Sequence, residues 1–316
     1  MFYIFILVSI IIIIIIFIIQ KFNNYKDSYI NNHKIYDNIM NLIETEQNIK
    51  NDSNNLIFFI NWPYGFGSAI SVYIENALYV KNINSSVICL PYFNTNSSNF
   101  KYHDEKYNNS FFQYFKWLKD IDLSGYKVYF VRTTHFTDNF ISFILPILSD
   151  KTNKLYIDFF CENFEIHKTI TDSVYKYFKK IKELNQKIIG IHIRSIAQKR
   201  EHDNSYLIIN LDKRLENIKN EVDKNSIIFI ATDVNLYIDK ARKIFGKEIY
   251  YLPDINRIDS ENDSICLLSK YTGLKLGNDI LQDCLALGLC DISYVSNSNI
   301  PFMTTLLNKN SILKAY

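Results

Sequence analysis

The sequence predicts an α/β protein with two Rossmann-like lobes, preceded by one transmembrane helix. From Leu56 onward, short runs rich in Ile, Val and Phe alternate with segments of helical period. This alternation is typical of parallel strands that helices cover on both faces. Before it, residues 1–19 carry no charged side chain, and no later apolar stretch is as long. The hydrophobic content of 48% excludes a chain that is disordered throughout.

Residues 1–20 are the predicted membrane anchor. At about 1.5 Å per residue, the uncharged run spans about 28 Å, close to the thickness of a hydrocarbon core. A cleaved signal peptide is the competing interpretation. The length of the run disfavours it, as does the absence of a basic start and of a small-residue cleavage site. Lys21 and Lys26 follow the span and favour a cytoplasmic body by the positive-inside rule. Two lysines do not decide the matter, so a body in the secretory pathway (Golgi or ER) also stays open.

A polar, Asn-rich segment without Gly or Pro, 21–55, is the predicted stalk. The folded body follows, and we divide it near Gln186 into an N-terminal lobe, 56–186, and a C-terminal lobe, 187–316. The predicted strands are 56–62, 86–91, 127–132, 187–194, 226–233, 248–253 and 292–298. The predicted helices are 68–80, 171–185, 214–224, 234–246, 279–290 and 301–309, with one further aromatic helix at 111–119.

The charge balance argues against a nucleic-acid binder, and the spacing of the cysteines argues against a cysteine-ligated metal site. Lysine and arginine number 35 against 33 acidic residues, a net charge of +2. A dedicated nucleic-acid binder usually carries a basic excess, so no nucleic-acid partner is predicted. The five cysteines show no metal-ligand spacing and sit in apolar surroundings, which indicates buried free thiols.

Polar side chains gather where three predicted strands of the C-terminal lobe end. His192 and Arg194 share one face of their strand, Asp233 ends the next, and Ser298 precedes the last helix. Ligands of open α/β sheets bind outside the carboxyl ends of the strands. An arginine and a serine at a helix N-terminus together suit a diphosphate. The alternatives are a pair between Arg194 and Asp233, helix caps at Asp233 and Ser298, and a core role for His192.

A carboxylate within an apolar helix and a pair of glycines after the first strand are further candidate site residues. Asp283 lies within an apolar helix, where a buried carboxylate is costly without partners. The N1–H and N2–H groups of a guanine ring would supply two partners, and a solvent-facing position is the alternative. Gly65 and Gly67 follow the first strand and permit a tight turn with close approach of the backbone. An ordinary strand-to-helix turn is the alternative there.

In this order, the motifs resemble those of the superfamily of GDP-fucose-using fucosyltransferases that includes the α-1,6, α-1,2 and protein O-linked types. PYGFGSAI is similar to their Gly-rich turn, and IGIHIRS to their H-x-R strand. FIATDVNLYIDKARKIFG is similar to their second motif, and GNDILQDCLALGLCDISYVSNSN to their third. The resemblance covers roughly 56–307 and is thin between the Gly-rich turn and Ile188.

The resemblance implies a GT-B-like fold and an enzyme that binds a nucleotide-sugar donor mainly in the C-terminal lobe. With the anchor predicted above, this enzyme would be membrane-anchored. Arg194 and Ser298 would hold the β-phosphate of GDP-fucose, and Asp283 would read guanine. His192 would help to shape the base pocket, and Asp233 would order the loop on the nucleotide side. The two glycines of the N-terminal turn, which belongs to the acceptor side, would let that lobe approach the sugar-phosphate.

The implied reaction is a single displacement that inverts the anomeric carbon and delivers fucose to a glycan or protein hydroxyl. Arg194 would stabilise the diphosphate leaving group. Relatives of the α-1,6 type carry a catalytic Glu in the loop that follows, and this sequence offers His202 nearest that spacing, beside Glu201. We expect the general base within this cluster.

No metal ion or other cofactor is predicted. The lone D-x-D sequence, Asp120 and Asp122, follows a predicted helix, whereas metal-dependent glycosyltransferases place theirs after an apolar strand. Two alternatives to a fucosyltransferase stay open. One is a catalytically inactive scaffold or binding protein of the same fold, and the other is a transferase that uses another nucleotide sugar.

Overall fold

The computed structural model describes residues 55–60, 65–93, 102–104, 107–132, 150–194, 211–260, 265, 273–296 and 298–315. The predicted anchor, 1–20, and nearly all of the predicted stalk lie outside these residues. Within them, no helix combines the length and the apolar character needed to cross a membrane. The fold is mixed α/β with two parallel sheets, which confirms the predicted class.

The first sheet contains three parallel strands in the order β2-β1-β4. They are β1 (Asn55–Ile60), β2 (Ile88–Tyr92) and β4 (Lys127–Arg132). Helix α1 (Phe66–Ile83) connects the first two and is buried over most of its length. The Tyr73 hydroxyl on α1 donates a hydrogen bond of 2.9 Å to the carbonyl of Cys89 on β2. The crossover helix is thereby fixed to the sheet, as expected for a parallel strand–helix–strand unit.

The predicted aromatic helix at 111–119 is wrong. A short 3₁₀ helix (Ser110–Gln113) leads into strand β3 (Phe115–Trp117). Strand β5 (Phe164–Ile166) pairs with β3 in antiparallel orientation. Ring packing explains the difference, because Phe111 contacts Phe115 and Phe164 with ring centroids 5.0 and 5.1 Å apart. These tertiary contacts, and the suitability of aromatic side chains for strands, outweigh the local helical period.

Two helices precede the second sheet. Helix α2 (Asp150–Asn163) was not predicted, and helix α3 (Lys168–Lys182) corresponds to the predicted segment 171–185. Although α3 lies before the predicted boundary at Gln186, it packs on the second sheet. Its Phe178 ring lies 5.2 Å from the ring of Phe229.

The second sheet contains five parallel strands in the order β10-β9-β6-β7-β8. They are β6 (Ile188–Ile193), β7 (Ile227–Thr232), β8 (Ile249–Tyr250), β9 (Ile292–Val295) and β10 (Leu313–Ala315). The helices between and beside them are α4 (Leu211–Glu221), α5 (Asn235–Phe245), α6 (Leu274–Leu289) and α7 (Ile300–Leu307). Every residue of β6 and β7 is buried, as the continuous apolar runs predict for strands covered on both faces.

One hydrophobic core joins the two sheets. It runs from Phe59 on β1 to Ile191 on β6 without a break in the cluster of buried side chains. At its edge, Tyr114 packs against Gly277 on α6, where a Cβ would lie only 2.4 Å from the Tyr114 hydroxyl oxygen. The same hydroxyl donates a hydrogen bond of 2.6 Å to the carbonyl of Tyr102. Only glycine fits at position 277 beside this ring.

Four of the cysteines lie in the described part of the chain, and all four are free thiols. Cys89, Cys284 and Cys290 are buried, as predicted. Burial raises the pKa of the Cys89 thiol to about 12, so this group is inert at neutral pH. The prediction is wrong for Cys161, which is exposed on α2.

Candidate functional site

The site is built at the carboxyl ends of three adjacent strands. In the parallel sheet, β6 lies between β9 and β7. The register pairs His192 with Ala231 and Ile193 with Thr232 on one side, and Ile191 with Tyr294 on the other. Because all three strands run in the same direction, their polar ends meet at one edge, as the sequence predicts.

A hydrogen bond between buried side chains connects two of these strand ends. The Ser296 hydroxyl lies 3.0 Å from Nδ1 of His192, and both residues are less than a tenth exposed. His192 is therefore engaged with the neighbouring strand end, which fits the core role named as its alternative. Arg194 and Ser298 each lie two residues beyond a member of this pair, just after the ends of β6 and β9.

Arg194 is partly buried at the end of β6. Its Nε is shielded from solvent and has no hydrogen-bond partner among the described residues. In that part of the chain, no ion pair joins Arg194 to Asp233, so the alternative of a simple pair between them has no support. A buried guanidinium nitrogen without a partner is costly, and an anionic ligand would satisfy it.

Asp233 contacts the loop on the far side of β7 through its main chain. Its carbonyl accepts a hydrogen bond of 2.9 Å from the N–H of Ile258, and the Ile258 carbonyl accepts one of 2.8 Å from the N–H of Asn235. These bonds fix the loop 251–260 to the end of β7. Asp233 is adjacent to this loop, where the family resemblance implies that it acts.

Asp283 lies on α6 and faces inward. Its Oδ1 is shielded from solvent and has no hydrogen-bond partner among the described residues. Burial raises the pKa of this carboxyl to about 8, against the opposing charge of Arg257 and with the support of Asp279 and Asp233. The residue as a whole is intermediate in exposure, so it is neither fully buried nor simply solvent-facing, and a ligand with N–H donors would satisfy its shielded oxygen.

Ser298 and the two glycines serve local structure. The Ser298 hydroxyl accepts a hydrogen bond of 3.2 Å from the N–H of Ile300, which is the capping role named as its alternative. A Cβ on Gly67 would lie 2.8 Å from Cβ of Asn299, so Gly67 permits close packing of α1 against the start of α7. At Gly65, φ is −60° and an added Cβ would have no heavy atom within 4 Å, so neither conformation nor space requires glycine.

The remaining predicted residues contribute nothing to the described part of the site. His202 and Glu201, the expected base cluster, lie outside the described residues. Asp122 of the D-x-D sequence is exposed and accepts hydrogen bonds of 2.8 and 2.7 Å from the N–H and the hydroxyl of Ser124. No group of three or more metal-ligating side chains occurs in the described ranges.

Two residues of the site escaped the sequence analysis. Asp279 lies one helical turn before Asp283, and this i, i+4 spacing on one face was a readable signal. Its Oδ2 accepts hydrogen bonds of 3.2 and 2.9 Å from the N–H and the side-chain amide of Asn256. Arg257 is buried in the polar loop after β8, where no sequence signal separates it from a solvated arginine.

No protein-family model matches the chain, and no curated protein is similar to it in sequence. Among solved structures, it is similar to the α-1,6-fucosyltransferase NodZ soaked with GDP-fucose, with 13% identity and a TM-score of 0.46 over 81% of this chain and 93% of NodZ. The fucosyltransferase NodZ from Bradyrhizobium gives 14% identity, a TM-score of 0.44 and coverage of 81% and 94%. POFUT1 in complex with GDP-fucose gives 13% identity and a TM-score of 0.42, over 83% of this chain and 99% of POFUT1. At these scores the likeness assigns no chemistry.

Proposed function

We propose that this chain is a glycosyltransferase that transfers fucose from GDP-fucose to a hydroxyl of a glycan or a protein. The observation that carries the proposal is the contact between His192 and Ser296, which brings the ends of β6 and β9 together. Arg194 and the turn at Ser298 follow these two strand ends, at the carboxyl edge of the same sheet. The proposal includes a GT-B-like arrangement with lobes 56–186 and 187–316, and an anchor in the bilayer through residues 1–19.

The phosphate half of the donor site rests on Arg194 and the start of α7. The guanidinium has a shielded Nε that an anion would satisfy. Helix α7 begins at Ile300, beside the buried Ser298, so the positive end of its dipole lies near the end of β9. A guanidinium and a helix N-terminus at adjacent positions together suit a diphosphate.

The base half rests on Asp283. A carboxylate with a shielded, unpartnered oxygen is complementary to the N1–H and N2–H groups of guanine. Uracil and cytosine do not present such a pair of adjacent donors. This complementarity favours a guanine nucleotide as the donor, with His192 and Asp233 bordering the same edge of the sheet.

The proposed reaction is a single displacement with inversion and without a metal ion. The acceptor oxygen forms a bond to the anomeric carbon while the bond from that carbon to the β-phosphate oxygen breaks, and GDP leaves with the electron pair. Arg194 neutralises the charge that develops on the diphosphate, so the transition state is stabilised more than the ground state. His202 or Glu201 receives the proton of the acceptor hydroxyl.

A nucleotide panel tests the proposal. Thermal unfolding is measured with GDP, UDP and CMP, followed by donor hydrolysis and transfer with the corresponding nucleotide sugars. We expect selective stabilisation by GDP, worth about 2.7 kcal/mol at about 100 times its Kd, and turnover of GDP-fucose. Stabilisation by another nucleotide would redirect the assignment to another donor. A response to none of them would favour a catalytically inactive protein of this fold.

A further inference from the structure

Arg257 is a buried arginine that belongs to none of the motifs above. It lies in the loop 251–260 after β8, and it is 9% exposed. Its Nη1 donates hydrogen bonds of 2.9 and 3.1 Å to the carbonyls of Leu252 and Ile255, and its Cζ lies 5.0 Å from the centre of the Tyr251 ring. The guanidinium is therefore held in one place by its own loop, because two hydrogen bonds and a ring fix its plane.

The main chain of Arg257 is fixed from both sides. On the side of β7, the N–H of Ile258 donates a hydrogen bond of 2.9 Å to the carbonyl of Asp233. On the side of α6, the N–H and side-chain amide of Asn256 donate hydrogen bonds of 3.2 and 2.9 Å to Asp279. Residue 257 therefore lies between the acid that ends β7 and the helix that carries Asp283.

Arg257 is the cation that offsets the buried charge of Asp283. Among the described residues, the charged groups that act on Asp283 are Asp279 on its own helix, Asp233 at the end of β7 and Arg257 from the loop. Burial raises the pKa of Asp283 most, Asp279 and Asp233 raise it further, and Arg257 alone lowers it. Lys275 pairs with Asp279 on the same helix, so Asp279 has its own cation, and Arg257 is the cation that acts on Asp283.

We propose that Arg257 is a positioning residue of the donor site, whose fixed guanidinium favours the ionised form of Asp283 and so lets this carboxylate accept two N–H groups of a guanine ring. The inference rests on the proposed function, because it concerns the same base pocket. A protonated carboxyl presents one donor and one acceptor, and its donor would oppose one of the two guanine N–H groups. The charge state of Asp283 therefore decides whether the pocket matches guanine.

The test measures GDP binding to the full chain between pH 6 and pH 8.5. In the wild type, affinity should rise about tenfold per pH unit and level off near the pKa of Asp283. Arg257→Gln should move this midpoint up by about one pH unit, so that affinity falls about tenfold at pH 7 and less at pH 8.5. Arg257→Lys should restore most of the wild-type profile. Arg242→Gln is the matched control, because Arg242 lies 5.8 Å from the same Tyr251 ring but is on the surface.

Each outcome has one meaning. A uniform loss of affinity in Arg257→Gln, with the pH midpoint unchanged, would show a merely structural role and overturn the inference. Should Arg257→Gln fail to fold, Asp283→Asn provides the second measurement, because its weaker GDP binding must lose the pH dependence. An unchanged pH profile in Asp283→Asn would also overturn the inference. A wild type that binds no GDP at any pH would instead refute the proposed function.

Discussion

His192 and Ser296 are hydrogen-bonded at 3.0 Å across two parallel strands, and both side chains are buried. The contact joins the two strand ends beyond which Arg194 and Ser298 lie. This hydrogen bond between His192 and Ser296 is therefore part of the structural support of the proposed site. We expect the phosphate half of the site to depend on this bond. Four experiments test the bond, the packing at the Gly-rich turn, and the roles of Arg194 and Asp283.

Ser296→Ala should destabilise the protein and weaken GDP binding together. The substitution leaves the His192 nitrogen buried without its partner, which costs about 1–3 kcal/mol. Chemical denaturation measures the loss, and calorimetry measures GDP affinity. Ser71→Ala is the control, because its buried hydroxyl donates its hydrogen bond of 3.0 Å within its own helix, to the carbonyl of Ser68. Equal stability of the two variants would show that the bond between the strand ends contributes nothing.

Gly67→Ala and Gly65→Ala should differ, although the two glycines are only two positions apart. A Cβ on Gly67 would lie 2.8 Å from Cβ of Asn299, so the packing of α1 against α7 must shift, at a cost of about 1–3 kcal/mol. Gly65 has open space and a φ of −60°, so its variant should stay within about 0.5 kcal/mol of the wild type. Urea unfolding of both variants measures the difference, and a stable Gly67→Ala would contradict the tight contact.

Arg194→Ala should abolish transfer while the fold survives. The loss of the cation that neutralises the leaving group should lower kcat at least about 100-fold. Arg242→Ala removes an exposed arginine from α5 and serves as the control. Circular dichroism establishes folding, and transfer from GDP-fucose under saturating donor measures kcat. Full activity in Arg194→Ala would remove the mechanism proposed above.

Asp283→Asn should stabilise the free protein at alkaline pH while it weakens GDP binding. The pKa of Asp283 is raised from 3.8 to about 8. Between these values the folded protein holds a proton that the unfolded chain has released, so the stability that this group contributes falls as the pH rises through about 8. Asparagine does not titrate. The variant should therefore exceed the wild type at pH 8.5 by at least about 1 kcal/mol, or about 2 °C in melting temperature.

The control for this variant is Asp172→Asn, on the exposed face of α3. It should change the melting temperature little at any pH. A wild type whose stability does not depend on pH between 5 and 8.5 would contradict the burial of Asp283 as the cause. Addition of GDP separates the two effects, because it should raise the melting temperature of the wild type more than that of Asp283→Asn.

The sequence predicted the parts of the fold in which local pattern and burial agree. The apolar runs of β6 and β7 are buried on both faces, and their ends meet at one edge as expected. The aromatic segment at 111–119 failed, because its rings pack against Phe164, a residue about fifty positions away whose proximity no local period reveals. Long-range packing of this kind overrides propensity.

The candidate site was predictable to a similar degree. Asp283 stood out as a carboxylate in an apolar helix, and the shielding of its Oδ1 from solvent follows from that pattern. Arg257 did not stand out, because its burial depends on a loop that Asn256 and Ile258 attach to two different elements. Gly67 was recognised as a position of close approach, but its neighbour is Asn299, which immediately precedes α7. Sequence alone cannot name the partner in such a contact.

Helix α3 has a practical consequence for dissecting the molecule. It precedes residue 186, yet Phe178 and its neighbours pack against Phe229 on the second sheet and Leu285 on α6. A truncated fragment that started at residue 187 would lack α3 and would expose the hydrophobic surface that this helix covers. Such a fragment would be prone to aggregate during expression. A recombinant fragment of the C-terminal lobe should therefore begin before Lys168, so that it includes helix α3.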